Sequence, residues 1–246
     1  MHLDETVSRA RRVVFQRNCD EMGLYVGTSG FSYPSWKGTN EGELGDMLTA
    51  AFGNPDFYPA GTKPVDFLRH YAERLSTVEL NTTGYRLPDE ERFRRWAEET
   101  PDGFRFAVKM PHPNRLAVFT ERVRGLGDRL GPVRIVIQQV RDDEFLARLL
   151  GSMDPDLSWA LDFRHESWAG VDTGVAASIN ALEGDASFRY LRLREPPYDE
   201  AELAAWAGRI RPVLAEGVDV FAYFKHEDEP SAPAYAKRLV ELCETG

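Results

Sequence analysis

The feature that most constrains this chain is an alternation: from residue 24 onward, short β-rich runs take turns with helical stripes. The runs are Leu24–Thr28, Thr77–Asn81, Arg105–Lys109, Val133–Gln138, Trp159–Phe163, Val175–Asn180, Arg189–Leu193 and Val218–Phe224. Between most of them apolar residues recur at helical spacing. Phe67, Leu68, Tyr71, Ala72 and Leu75 form one stripe; Leu203, Trp206, Ala207, Ile210 and Leu214 form another. Asp89, Glu90 and Glu91 after Pro88 open a further helix, and Pro101 closes it. A helical crossover returns the chain to start the next strand in the same direction. The sheet is therefore parallel and must be covered by helices. Eight such strands in one uninterrupted stretch predict an α/β fold, a single TIM-type (β/α)8 barrel. A doubly wound open sheet is the rival, but no G-x-G-x-x-G or G-x-x-x-x-G-K-[ST] loop follows the first strand.

Two places break the rhythm. Ser29–Lys63 is long for a connection and carries Phe31, Tyr33, Trp36, Phe57 and Tyr58 towards its ends, which predicts a lid, with Asn40–Asn54 as an insertion. Ala169–Gly174 is too short for a helix, so one βα unit should be reduced near residues 169–180. Residues 1–22 contain Arg9, Arg11 and Arg12 without a cleavable apolar core and read as a loosely attached leader. Residues 23–246 then form one barrel domain.

Composition limits the partners. A net charge of −10 over 246 residues argues against a protein that coats nucleic acid, yet leaves room for a local cationic site. Cys19 and Cys243 cannot build a disulfide framework, and no secretory signal is visible, so a cytoplasmic setting is expected. The apolar run Val133–Ile137, broken by Arg134, is far too short to cross a bilayer, and no membrane partner is expected.

In a (β/α)8 barrel the site lies at the C-terminal strand ends, and period-two alternation selects the side chains that face inward. Thr77, Glu79 and Asn81 share one face; Lys109 ends the third strand inward; Asp162 pairs in parity with Arg164, and Tyr190 with Arg192. The last strand offers Tyr223 and Lys225, or else Phe224 and His226, and the fourth ends on Gln138 or Gln139. Lys109, Arg164, Arg192 and Lys225 outnumber Glu79 and Asp162, which points to a small phosphorylated or carboxylated ligand. Structural ion pairs, Glu79 with Lys109 and Asp162 with Arg164, are the competing reading, but buried pairs seldom improve on apolar packing.

The catalytic candidates are Glu79 and Asp162, as base or orienting group, and His165 as acid and base, with His112 a second histidine near a strand end. Asn81, Lys109, Arg164, Arg192 and Tyr223 are candidate binding residues, and Tyr33, Trp36 and Trp168 could stack on a ligand ring. Glu79, His112, Asp162, His165, His226 and Glu227 have metal-ligand chemistry, but H-x-E, H-E-x-x-H and paired C-x-x-C spacings are absent. No metal and no cofactor are expected.

The phrases GTSGFSYPSWKG (27–38), TVELNTTGYRLP (77–88), FRFAVK (104–109), DFRHESW (162–168), FRYLRL (188–193) and DVFAYF (219–224) resemble the YecE-like family, from about Tyr25 to Leu242. The resemblance implies a TIM barrel, sometimes likened to endonuclease IV, with no established reaction. Phe31 stands where that family commonly has tryptophan, Gly84 where it has an aromatic, Asp162 where it has glutamate, and Lys225-His226 where it has an asparagine pair. The expectation is a metal-independent hydrolase or lyase acting on a small anion. The alternatives are a nucleic-acid-binding or -processing protein, which needs a basic track beyond the pocket, and a non-catalytic binding scaffold.

Overall fold

The structure, a computed structural model, describes residues 23–38, 40–226 and 228–245; the expected leader at 1–22 lies outside the described residues. Eight parallel strands form one sheet: β1 (Leu24–Thr28), β2 (Thr77–Leu80), β3 (Arg105–Lys109), β4 (Leu130–Ile137), β5 (Trp159–Phe163), β6 (Ala177–Ser178), β7 (Phe188–Leu193) and β8 (Asp219–Phe224). Their order, β6-β5-β4-β3-β2-β1-β8-β7, curls into a nearly closed barrel. Gly27 shows how tightly the wall is drawn: a Cβ there would sit 1.9 Å from the carbonyl oxygen of Thr77 on the neighbouring strand.

Seven α-helices accompany the strands among the described residues: α1 (Gly42–Phe52), α2 (Phe67–Ala72), α3 (Glu90–Glu98), α4 (Leu116–Val123), α5 (Asp143–Ser152), α6 (Glu200–Ala215) and α7 (Ser231–Glu244). Their starts follow from local chemistry. Asp89 accepts from the Arg92 amide at 2.9 Å and Asp142 from the Phe145 amide at 2.8 Å, while Asp199 and Glu202 form a reciprocal capping box. The segment Asn40–Asn54, expected to be an insertion, carries α1, which packs against α7.

The predicted reduction of a βα unit is present and extends further than expected. Only a single 3-10 turn, Glu166–Trp168, follows β5, and no helix separates β6 from β7. The seam between those two strands is one bridge, Ile179 to Tyr190, extended by Asn180. The Asn180 side chain stands in for a missing strand partner: its Oδ1 accepts from the Arg192 amide at 2.7 Å, and its Nδ2 donates to the Arg192 carbonyl at 3.4 Å.

Alternation divides the core in two. Outward residues such as Val78, Leu80, Leu191 and Phe224 join the helix stripes in one apolar layer. Inward residues fill the barrel itself, with Tyr25 stacked on Phe221 at 4.6 Å and Tyr190 beside Tyr223 at 5.2 Å, opposite the small Ala107 and Ala160. That plug is apolar at the N-terminal end of the strands and becomes charged toward the C-terminal end.

Candidate functional site

Glu79, fully buried on the inward face of β2, is the centre of the charged layer. Its Oε2 accepts from Ser29 Oγ at 2.8 Å, Asn81 Nδ2 at 3.0 Å and Arg192 Nη2 at 3.0 Å, and its Oε1 accepts from the Tyr190 hydroxyl at 2.7 Å. Arg134 Nε stands 2.8 Å from Oε1 as an ion pair without hydrogen-bond alignment. Burial alone would raise the carboxyl's pKa. Arg134, Arg192 and the hydroxyl donors outweigh it and bring the pKa down to about 2.

Asp162, inward on β5, takes its cations through one oxygen. Arg134 Nη1 lies at 2.5 Å, Arg164 Nη2 at 2.7 Å and Arg192 Nη1 at 3.7 Å from Oδ2. Arg134 thus joins both carboxylates and also donates to Asn81 Oδ1 at 2.8 Å. In the sequence Arg134 stands out only as a break in an apolar run. A full charge inside an otherwise apolar strand, in the same parity as Gln138, was the signal available for it.

Arg192 is 7% exposed, yet its Nε and Nη1 make no hydrogen bond among the described residues. Lys109 and Arg194 complete the cationic set. Desolvation, then the charge of Arg134, lowers the pKa of Lys109; desolvation, then Arg192 and Arg164, lowers that of Arg194. Among the described residues, Lys109, Arg134, Arg164, Arg192 and Arg194 share Glu79 and Asp162: five cations on two carboxylates. A cavity of about 250 Å³ opens there, lined by Asp162, Arg164, Ser178, Asn180, Arg192 and Arg194. A larger one, about 450 Å³, lies beside the loop after β1, walled by Phe31, Tyr33, Leu68 and Trp96 and bordered by Asn81.

The structure gathers Glu79, Asn81, Asp162, Arg164 and Arg192 into one bonded network, with Lys109 in their field. Of the two ion pairs in the competing structural reading, Asp162 with Arg164 is formed, while Glu79 pairs with Arg134 and Arg192 instead of Lys109. Tyr223 lies a layer deeper, fully buried, its hydroxyl 2.9 Å from Thr77 Oγ1, so it floors the site. The last strand's parity is now fixed, since Phe221 and Tyr223 face inward while Phe224 faces the helices. Gln138 and Gln139 are both exposed.

Two expected stacking residues are closed off, and two histidines cap short turns. Trp36 is buried among Tyr33, Phe57 and Tyr58, and Trp168 is buried against Phe163 with its Nε1 donating to the Gln139 carbonyl at 2.7 Å, so neither ring is open to a ligand. His165 is exposed, and its Nδ1 accepts from the Ser167 amide at 3.2 Å as the cap of its own short turn. His112 caps the next 3-10 turn in the same way. Tyr33 remains at the edge, its hydroxyl donating to the Ser29 carbonyl at 2.6 Å and its ring stacked on His226 at 4.4 Å. Among the described residues no three of His, Cys, Asp and Glu gather as a metal group; Glu227 lies outside them. No helix among them is long and apolar enough to cross a membrane.

The sequence pattern of a family described as "Protein of unknown function DUF72" matches residues 25–183 and 171–246. The "UPF0759 protein YecE" of Escherichia coli K12 is 27% identical over 156 residues, which is 58% of this chain and 48% of that protein; its counterpart in strain O157:H7 matches equally. The chain spans about half the length of these curated relatives. Two crystal structures of a DUF72 family protein from Enterococcus faecalis V583 share the fold at 16% identity. One gives a TM-score of 0.64 over 75% of this chain and 96% of that one, the other 0.60 over 91% and 96%.

Proposed function

This chain belongs to the DUF72 family, and from that premise we propose that its barrel mouth binds a small phosphate- or carboxylate-bearing molecule as an enzyme of hydrolase or lyase type. One observation carries the reading: five cations share two carboxylates in a protein whose net charge is −10. Cations crowded in a half-dry cleft repel one another, and an anion with several acceptor oxygens relieves that repulsion while using unmet guanidinium donors. Arg164 and Arg194, at the rim of the 250 Å³ cavity, would receive the anion first, and Arg192 would hold it from below. Glu79 is saturated with donors and stays ionised, so its part is to orient the arginines rather than to take a proton. Asp162, which borders the cavity and takes its cations through one oxygen only, is the carboxylate that would face a substrate. His165 is better read as a structural cap.

The test is thermal stability of the purified protein, after chelation, titrated with phosphate, sulfate and sugar phosphates. Binding to the folded state raises Tm with concentration, and Arg164→Ala should blunt the rise. If no anion stabilises the protein, the reading is wrong.

A further inference from the structure

One of the five cations differs from the rest in being an amine. Lys109 ends β3 on the inward face, and among the described residues no carboxylate lies within ion-pair distance of its Nζ. Its side chain has a prepared seat. The stem lies across Gly84, where a Cβ would meet Lys109 Cδ at 2.7 Å and Cε at 2.8 Å, and the Thr83 hydroxyl donates to the Lys109 carbonyl at 2.8 Å. Nζ lies 4.8 Å from the ring centre of Tyr85, whose side chain is exposed. The arginines of the mouth hold their charge at any accessible pH, whereas a lysine can give up its proton. Lys109 is in register with Arg134 on the adjacent strand β4, and a half-buried amine beside a fixed guanidinium is the environment that makes a lysine nucleophilic; the lowering of its pKa agrees with this.

We propose that Lys109 is a nucleophilic amine that forms an imine with a small aldehyde or ketone whose phosphate or carboxylate group is held by Arg164, Arg192 and Arg194. The proposal rests on the anion-binding reading and names the substrate class within it. The neutral amine adds to the carbonyl carbon, forming the C–N bond as the carbonyl π pair moves to oxygen. Proton transfer from nitrogen to oxygen and departure of water leave the imine, and no oxidant or reductant is needed. A protonated imine accepts electron density from an adjacent breaking bond, which is lyase-type chemistry, while the arginines fix the anionic end of the same molecule.

The chain has five lysines, Lys37, Lys63, Lys109, Lys225 and Lys237, so four act as internal controls. The probe is pyridoxal phosphate, an anionic aldehyde, followed by borohydride, which delivers hydride to the imine carbon and makes the bond permanent. Peptide mapping should find most of the label on Lys109, with inorganic phosphate competing and pyridoxal, which lacks the phosphate, showing no such preference. K109R keeps the charge and should lose the label while phosphate still stabilises the fold. Gly84→Ala leaves the amine present but pushes the stem aside, and should cut labelling of Lys109 without abolishing phosphate stabilisation. Label spread evenly over the lysines, or concentrated on Lys225, with phosphate stabilisation intact, overturns the imine and leaves the anion site standing. Loss of phosphate stabilisation in the unmodified protein overturns both.

Discussion

On the outer side of β7 the wall that lacks a helix is closed by Arg189; on the inner side of the same strand the mouth is filled by Arg192. Both side chains are buried, to 6% and 7% exposure. Arg189 Nε donates to the Leu182 carbonyl at 2.8 Å, Nη1 to those of Ala186 at 2.6 Å and Phe188 at 3.0 Å, and Nη2 to that of Gly184 at 2.8 Å. Every nitrogen is used; three partners are carbonyls of the link that replaces a helix, and the fourth, Phe188, is the first residue of β7. Arg192 spends Nη2 on Glu79 and leaves Nε and Nη1 without hydrogen bonds. A buried guanidinium that is fully satisfied by local backbone is a structural plug. One that keeps ion pairs to Glu79 and Asp162 but leaves two donors without hydrogen bonds is satisfied only in part, and under the proposed function those donors are the ones an anion would meet.

That contrast can be broken by experiment. The largest effect is expected at Glu79, because Glu79→Gln leaves Arg134 and Arg192 to Asp162 alone; denaturant unfolding should show a loss of about 4 kcal/mol. Acid should reproduce part of it. With its folded pKa lowered from 4.5 to about 2, Glu79 contributes stability that is present above pH 4.5 and lost as pH falls through that interval. The drop should be about 3 kcal/mol and should flatten in E79Q. A wild-type drop that persists unchanged in the variant would place the titrating group elsewhere.

Next in size is the pair of β7 arginines. Arg189→Met strands four carbonyls and should cost about 3 kcal/mol, with amide exchange rising first between Ala181 and Ser187, while stabilisation by phosphate is retained. Arg192→Met should cost only about 1.5 kcal/mol, since Glu79 keeps Arg134, Ser29, Asn81 and Tyr190 and the crowding of cations falls; here the response to phosphate should disappear. If the two substitutions cost the same and neither alters the phosphate response, the distinction between plug and ligand group fails.

The smallest effect separates the seam from both. Asn180 has a positive φ of 64°, which glycine adopts freely, so Asn180→Gly removes only the amide that pairs with Arg192. A loss of about 1 kcal/mol is expected, with faster exchange of the Arg192 amide. Unchanged exchange would show that the single bridge at Ile179 and Tyr190 closes the barrel unaided.

Much of this was legible before any coordinates. Glu79, Asp162, Arg164 and Arg192 were found from parity alone, because side chains on a strand alternate whatever the rest of the chain does. Arg134 was missed for a related reason: β4 is buried on both faces, so its neighbours are apolar in both parities and the one charge stood out as an interruption of the run, not as part of an inward polar set. Trp36 and Trp168 were misjudged because they sit in connections, where direction is set by packing and not by a period. Nearness in sequence to a strand end made them seem part of the mouth. Trp168 instead turned back to cover the wall left bare by the short link after β5.

The sequence by itself determined the eight parallel strands, the reduced unit and which face of most strands carries charge, since each follows from a period of two or 3.6 residues and from turn chemistry within a few positions. Only the tertiary structure decided which charges meet. Arg134 comes to Glu79 and Asp162 because β3 stands between β2 and β4 and β5 follows β4 in the sheet, and Arg192 reaches Glu79 across the barrel from a strand 113 residues away. Pairing between charges depends on distances in space, and a local periodicity holds no information about those until the sheet has curled and placed its strands around one axis.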